Sequence, residues 1–160
     1  MEETRDQMTL IVFSNDLDKA IAAFILANGA ASAGMPVTMY FTFWGLALLR
    51  RRGHAQRGKT LIERMFGWML PEGPRSATLS KMHFLGMGTA MIRRVIRKKK
   101  IPQLSDLMDM AITQNVRLVA CTTSMGIMGI TREELIDGIE VGGVATYLGS
   151  GRESSINLFI

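Results

Sequence analysis

The chain has 160 residues, 48% of them hydrophobic and 21% charged, with one cysteine, Cys121, and a formal net charge of +5. That length suits one domain with a real core, and the apolar fraction excludes disorder as the main state. A single cysteine excludes an internal disulfide framework and any cysteine-rich zinc module.

The net charge hides an uneven distribution. Between Arg50 and Lys100 stand 14 basic and 2 acidic residues, a net of +12, whereas the rest carries 5 basic and 12 acidic, a net of −7. A strongly basic middle segment is therefore set into an acidic body. Met1 to Gln7 is mixed and acidic-leaning, so no secretory signal is read there. A reducing cytoplasm, with Cys121 a free thiol, is the expectation.

In chain order, residues 7–14 form a short apolar run ending in Asn15-Asp16, which reads as a buried strand and a turn. Asp16 or Asn15 can cap a helix over 17–32, with Leu17, Ile21, Phe24 and Ile25 at helical spacing and Gly34 and Pro36 stopping it. Residues 37–43 are β-branched and aromatic, a second strand, and 44–52 read as a short helix with a basic end. Strand, helix, strand, helix is the pattern of a parallel sheet with right-handed crossovers. Residues 20–49 carry no charged side chain and run into Arg50, Arg51 and Arg52, which raises a membrane span. Asn28, Gly34 and Pro36 interrupt the run, and a helix plus a buried strand account for it without lipid.

From 53 to 80 the pattern breaks, with one helical turn expected near 60–67 inside an insertion over about 53–100. Residues 82–99 regain a helix pattern with Leu85, Met91, Ile92, Val95 and Ile96 on one side. Six basic residues at its end exceed what the helix dipole requires. Ser105 is the predicted N-cap of a helix through Thr113. Residues 116–120 are a strand with Cys121 just past its end, and 122–128 turn into a helix. Thr131 and Glu134 can form a capping box. A weak strand near 139–141, a helix over 142–150 and a strand over 156–160 complete one α/β domain with four to five strands.

Ligands and reactive groups in parallel sheets gather beyond the carboxyl ends of the strands, where Cys121 is placed. Backbone N–H groups at the start of the following helix favour a thiolate, and Thr122, Thr123 and Ser124 add hydroxyl donors for a thiolate or persulfide anion. The competing reading is a buried apolar filler, and position alone favours it. Asn15 and Thr42 reach the same edge as candidate donors, with Phe43 and Trp44 to exclude water; helix capping and core packing are their plainer roles. His83, between Met82 and Phe84, is a candidate lining residue, though a packed or surface histidine is the plainer reading. Gly86 and Gly88 would let backbone approach a ligand or another chain. His54 reads as solvated. No metal-ligand spacing is present, and the Gly-rich turn of a dinucleotide site is missing between Ser14 and Leu17, so no metal or cofactor is expected.

The segments N-D-L-D-K-A (15–20), F-T-F-W-G-L (41–46), K-M-H-F-L-G-M-G-T-A-M-I (81–92), A-C-T-T-S-M-G-I-M-G-I (120–130) and D-G-I-E-V-G-G-V-A (137–145) resemble the DsrE/DsrF/DrsH-like sulfur-relay family. The likeness is to its branch with a long basic insertion, also labelled peroxiredoxin-like. It implies a three-layer α/β/α sandwich with a mainly parallel sheet and a homo-oligomer. It also implies a cysteine that accepts sulfane sulfur and hands it to a partner protein. Cys121 occupies the motif position A-C-x-x-S-M, and the resemblance makes it the persulfide carrier. A lone cysteine excludes an internal two-thiol shuttle, so donor and acceptor are other molecules, such as rhodanese-like proteins or other thiol carriers.

The alternative is a non-catalytic adaptor that docks acidic partners or a membrane surface through the basic segment. Nucleic acid is disfavoured because 89–100 contains no aromatic residue. Contact between subunits or with partners is preferred to peripheral membrane contact for the methionine-rich apolar residues there.

Overall fold

The computed structural model describes residues 6–53 and 59–160; His54 lies outside them. The elements are β1 (Gln7–Val12), α1 (Leu17–Ser32), β2 (Val37–Phe41), α2 (Leu61–Met69), α3 (Met87–Lys98), α4 (Leu104–Thr113), β3 (Arg117–Cys121), α5 (Thr122–Met128), β4 (Glu140–Gly142), α6 (Val144–Arg152) and β5 (Ser154–Phe159). The five strands form one parallel sheet in the order β4-β3-β2-β1-β5.

Strand alternation sorts the side chains onto two faces. Met8, Leu10, Val12, Met39, Phe41, Leu118 and Ala120 pack in one buried cluster with Phe24 of α1 and Leu107 and Ala111 of α4. Tyr40, Val119 and Cys121 form a separate buried group on the other face, joined by Tyr147 of α6. Helices therefore cover both faces of an α/β sheet, as the element pattern implies.

Several boundaries differ from the sequence reading, each for a local reason. The expected helix at 44–52 is a 3-10 stretch, Phe43–Leu49. Gly45 there is pressed so close to β1 that a Cβ would lie 2.1 Å from the Val12 carbonyl oxygen. The first residue of its expected basic end is buried, while Arg52 is exposed. Arg50 is extended and 2% exposed, giving hydrogen bonds to the carbonyls of Gly67 and Leu70 and an ion pair to Glu134 at 3.3 Å.

The single turn expected near 60–67 is a nine-residue helix, α2, opened by a Thr60–Glu63 capping box. The expected helix from Met82 begins only at Met87, because Met82, Phe84 and Leu85 adopt left-handed backbone (φ 58°, 40° and 54°). Gly88 packs against that turn, where a Cβ would lie 1.8 Å from the Met82 carbonyl oxygen. Gln103, not Ser105, caps α4, and the Asp106 carboxylate accepts the Gln103 N–H at 2.9 Å. Asp16 is the N-cap of α1, but its carboxylate takes the Lys19 ammonium at 2.8 Å instead of a backbone N–H. The Thr131–Glu134 capping box forms, on a 3-10 turn (Arg132–Glu134). Among the described residues no helix is long and apolar enough to cross a membrane.

Candidate functional site

Because every ladder is parallel, the carboxyl ends of β1, β2, β3 and β4 share one edge of the sheet. Cys121 is the last residue of β3, not the first beyond it, and pairs with Gly142 at the end of β4. Its side chain points to the α6 face and is 4% exposed. It is also the N-cap of α5, so the chain turns into helix immediately after the thiol.

Four hydrogen-bonding groups converge on the sulfur. They are the Tyr40 hydroxyl, the Ser124 backbone N–H, the Ser124 hydroxyl and the Thr42 hydroxyl. Burial pushes the thiol up, but these donors favour the anion more strongly and bring Cys121 down to about 7. Thr42 Oγ1 and Ser124 Oγ are 2.7 Å apart, and Tyr40 Oη donates to the Gly142 carbonyl at 3.1 Å. Burial, and then the sulfur beside it, push Tyr40 above its ordinary range, so it remains a neutral donor. The Tyr147 ring, 5.5 Å away and tilted by 44°, packs on the Tyr40 ring.

The sequence candidates divide. Thr42 and Ser124 join Cys121. Thr122 and Thr123 stand exposed on the first turn of α5, and Thr122 Oγ1 lies toward Gly143. Asn15 reaches the same edge after β1, yet among the described residues it makes no hydrogen bond to Cys121; its loop is closed by the Asp16 N–H on Ser14 Oγ at 3.0 Å.

His83, Gly86 and Gly88 belong to the turn before α3. There His83 Nδ1 lies 3.0 Å from Thr89 Oγ1, and the Gly88 N–H donates to the His83 carbonyl at 3.2 Å. Those bonds organise the basic segment and do not involve the thiol. Phe43 and Trp44 begin the 3-10 stretch, partly exposed, with the Phe43 ring 5.6 Å from that of Phe13.

Tyr40 escapes sequence reasoning because it counts there only among the aromatic residues of a buried strand. The available signal was parity: Thr42, still extended just past the end of β2, stands two residues after Tyr40, so both hydroxyls face the same side of the sheet.

A parallel α/β sheet with a buried cysteine at the carboxyl end of an interior strand defines the class: a small α/β protein with a single thiol at the strand-end edge of its sheet. Residues 4–159 match the DsrE/DsrF/DrsH-like family, and the chain belongs to it. It is 46% identical to the uncharacterized protein YrkE of Bacillus subtilis (strain 168), over the full length of both. It is 29% identical to the sulfur carrier protein DsrE2 of Allochromatium vinosum, over 96% of this chain and 98% of that one. Among solved structures it resembles the ychN protein of E. coli, with a TM-score of 0.54 and 12% identity over 97% of this chain and 99% of that one. At that identity the likeness speaks for the fold.

Proposed function

We propose that the protein is a sulfane-sulfur carrier in a sulfur relay, with Cys121 as its one working thiol. Family membership and the likeness to a sulfur carrier support a sulfur-relay role in general. The observation that carries the finer reading is the set of Tyr40, Thr42 and Ser124 donors around a sulfur whose acidity is raised to about 7. The same donors suit the terminal sulfur of a bound persulfide, which is also an anion near neutral pH.

The chemistry is two thiol–persulfide exchanges. The Cys121 thiolate attacks the outer sulfur of a donor persulfide; a new S–S bond forms, the donor's S–S bond breaks, and the donor leaves as a thiolate. An acceptor thiolate then attacks the terminal sulfur on Cys121 and releases the Cys121 thiolate. Neither step needs an external oxidant or reductant, because one sulfane sulfur changes hands. With one cysteine in the chain, both exchanges are intermolecular. Rhodanese-like proteins or other thiol carriers are fitting donors and acceptors, and a reducing cytoplasm suits a working free thiol.

Self-association belongs to the same reading. The Phe13, Phe43 and Phe159 rings cluster at one edge with centroids 5.6 and 5.8 Å apart, and Val144 and Leu148 of α6 are exposed beside β4 and β5. Burying such a surface between copies removes apolar area from water.

The test is incubation with a polysulfide or thiosulfate, followed by intact mass and cyanolysis. One added sulfur atom on the wild type, released as thiocyanate and missing from Cys121→Ser, is expected. An accessible Cys121 that takes up no releasable sulfur overturns the reading. The adaptor alternative, in which the basic segment docks acidic partners, expects the reverse: Cys121→Ser functions, and neutralising residues 97–100 abolishes function.

A further inference from the structure

The apolar stripe of α3 is turned away from the core. The helix docks by its opposite side, where the buried Thr89 hydroxyl accepts the Leu79 N–H at 3.1 Å and Arg93 donates to the Ala77 carbonyl at 2.7 Å. Met87 and Met91, one turn apart, are left 66% and 65% exposed, and Val95 continues the row. The left-handed turn before the helix adds to this surface. Phe84 is 66% exposed and Leu85 fully so, thrown outward where Gly86 (φ 94°) reverses the chain.

Arg94 and Lys98 stand three and seven residues after Met91, so they border the apolar row on the same side of the helix. Arg97, Lys99 and Lys100 close its end. Burial first, and then the neighbouring Arg97 and Arg52, lower Arg93 from its ordinary value.

We infer that residues 82–100 form a surface-seeking amphipathic element that rests on an anionic lipid surface. Three observations select this occupant. The exposed side combines a large apolar stripe with dense cationic charge and low overall hydrophobicity, the composition of helices that lie in a membrane interface. A second copy of the same face would bring two clusters of like charge together, which opposes self-pairing. Finally, Phe84, Leu85, Met87 and Met91 project as separate pegs. A lipid interface accommodates pegs without matching pockets, while lysine and arginine stems reach past them to the headgroups. The methionine-rich composition favours protein contacts; the outward turn of the stripe beside dense cationic charge favours lipid. This inference goes beyond the sulfur-carrier reading and does not depend on it.

The experiment is flotation of the full chain with vesicles of phosphatidylcholine alone or with about 30% phosphatidylglycerol, in low salt and again in salt raised to about 0.5 M. Binding to the anionic vesicles at least about tenfold stronger than to neutral ones, and weakened by salt, is expected. Leu85→Glu, at a fully exposed side chain, and the charge reversal Arg94→Glu/Lys98→Glu should each remove it while the circular dichroism spectrum is unchanged. Wild-type protein that ignores anionic vesicles overturns the inference, as does full binding by both variants. Concentration-dependent self-association lost in Leu85→Glu, without lipid affinity, overturns it in favour of a second copy. Capture by an acidic protein without lipid affinity likewise overturns it.

Discussion

The Tyr40 hydroxyl donates to the carbonyl of Gly142 at 3.1 Å, and Gly142 is the ladder neighbour of Cys121. The phenol has one proton and two acceptors within reach, the carbonyl and the sulfur. In the thiol form the carbonyl takes it; when the sulfur becomes an anion the stronger acceptor competes for it. The charge state of Cys121 is thereby coupled to how firmly the end of β4 is held.

Removing this donor should raise the Cys121 pKa. A hydrogen bond to a charged group contributes enough that Tyr40→Phe is expected to shift it from about 7 upward by about one unit. At pH values below both pKa values there is about tenfold less thiolate, but each anion is more nucleophilic, so alkylation by iodoacetamide slows by about threefold. The check is alkylation rate against pH. A thiolate favoured in the fold contributes stability that is present above the unfolded thiol pKa and lost as pH falls through about 7. Tyr40→Phe should flatten this dependence.

Thr42→Val and Ser124→Ala should act in the same direction by smaller steps. Each also strands the other hydroxyl of a 2.7 Å pair, at a cost of about 1 kcal/mol in urea denaturation. The double variant should cost less than the sum, because the second change removes a partner already lost.

Glu134 binds the charged ends of Arg50 and Lys59 and accepts the Thr131 N–H at 3.1 Å. Burial pushes its carboxyl up, but the Lys59 ammonium, the Thr131 N–H and Arg50 together hold it below the usual carboxylate range. Its contribution is therefore present at neutral pH and lost as pH falls through the lowered value. Glu134→Gln should cost about 3 kcal/mol at neutral pH, because the buried Arg50 and Lys59 lose their shared carboxylate and Arg50 keeps only the longer pair to Glu72 at 3.6 Å. The gap from wild type should narrow on acidification, as read from urea midpoints.

Gly45→Ala should destabilise by about 2 kcal/mol or more, since the new methyl meets a backbone oxygen that cannot swing aside. A melting temperature equal to wild type would contradict the close approach of the 3-10 stretch to β1.

Sequence alone determined what rests on local periodicity and turn chemistry. The 17–32 helix is fixed by its spacing and by Gly34 and Pro36, and β2 by its β-branched and aromatic run. The placing of Cys121 at the head of a helix, and the Thr131–Glu134 box, depend on residues within one turn of each other. Composition also settled that the chain has one thiol and a basic middle segment.

Tertiary structure decided what depends on distant neighbours. Tyr40 and Thr42 reach Cys121 only because β2 and β3 lie side by side, a register set by the burial of both sheet faces. Arg50, read as part of the basic end of a short helix, is buried because its charge meets Glu134 and its guanidinium meets the carbonyls of Gly67 and Leu70. The spacing of α3 shows that it has an apolar side, but which way that side turns depends on its docking. Thr89 and Arg93 bind carbonyl and amide groups of the preceding loop, so the apolar row faces out. A period tells which residues share a face; the surroundings decide what that face meets.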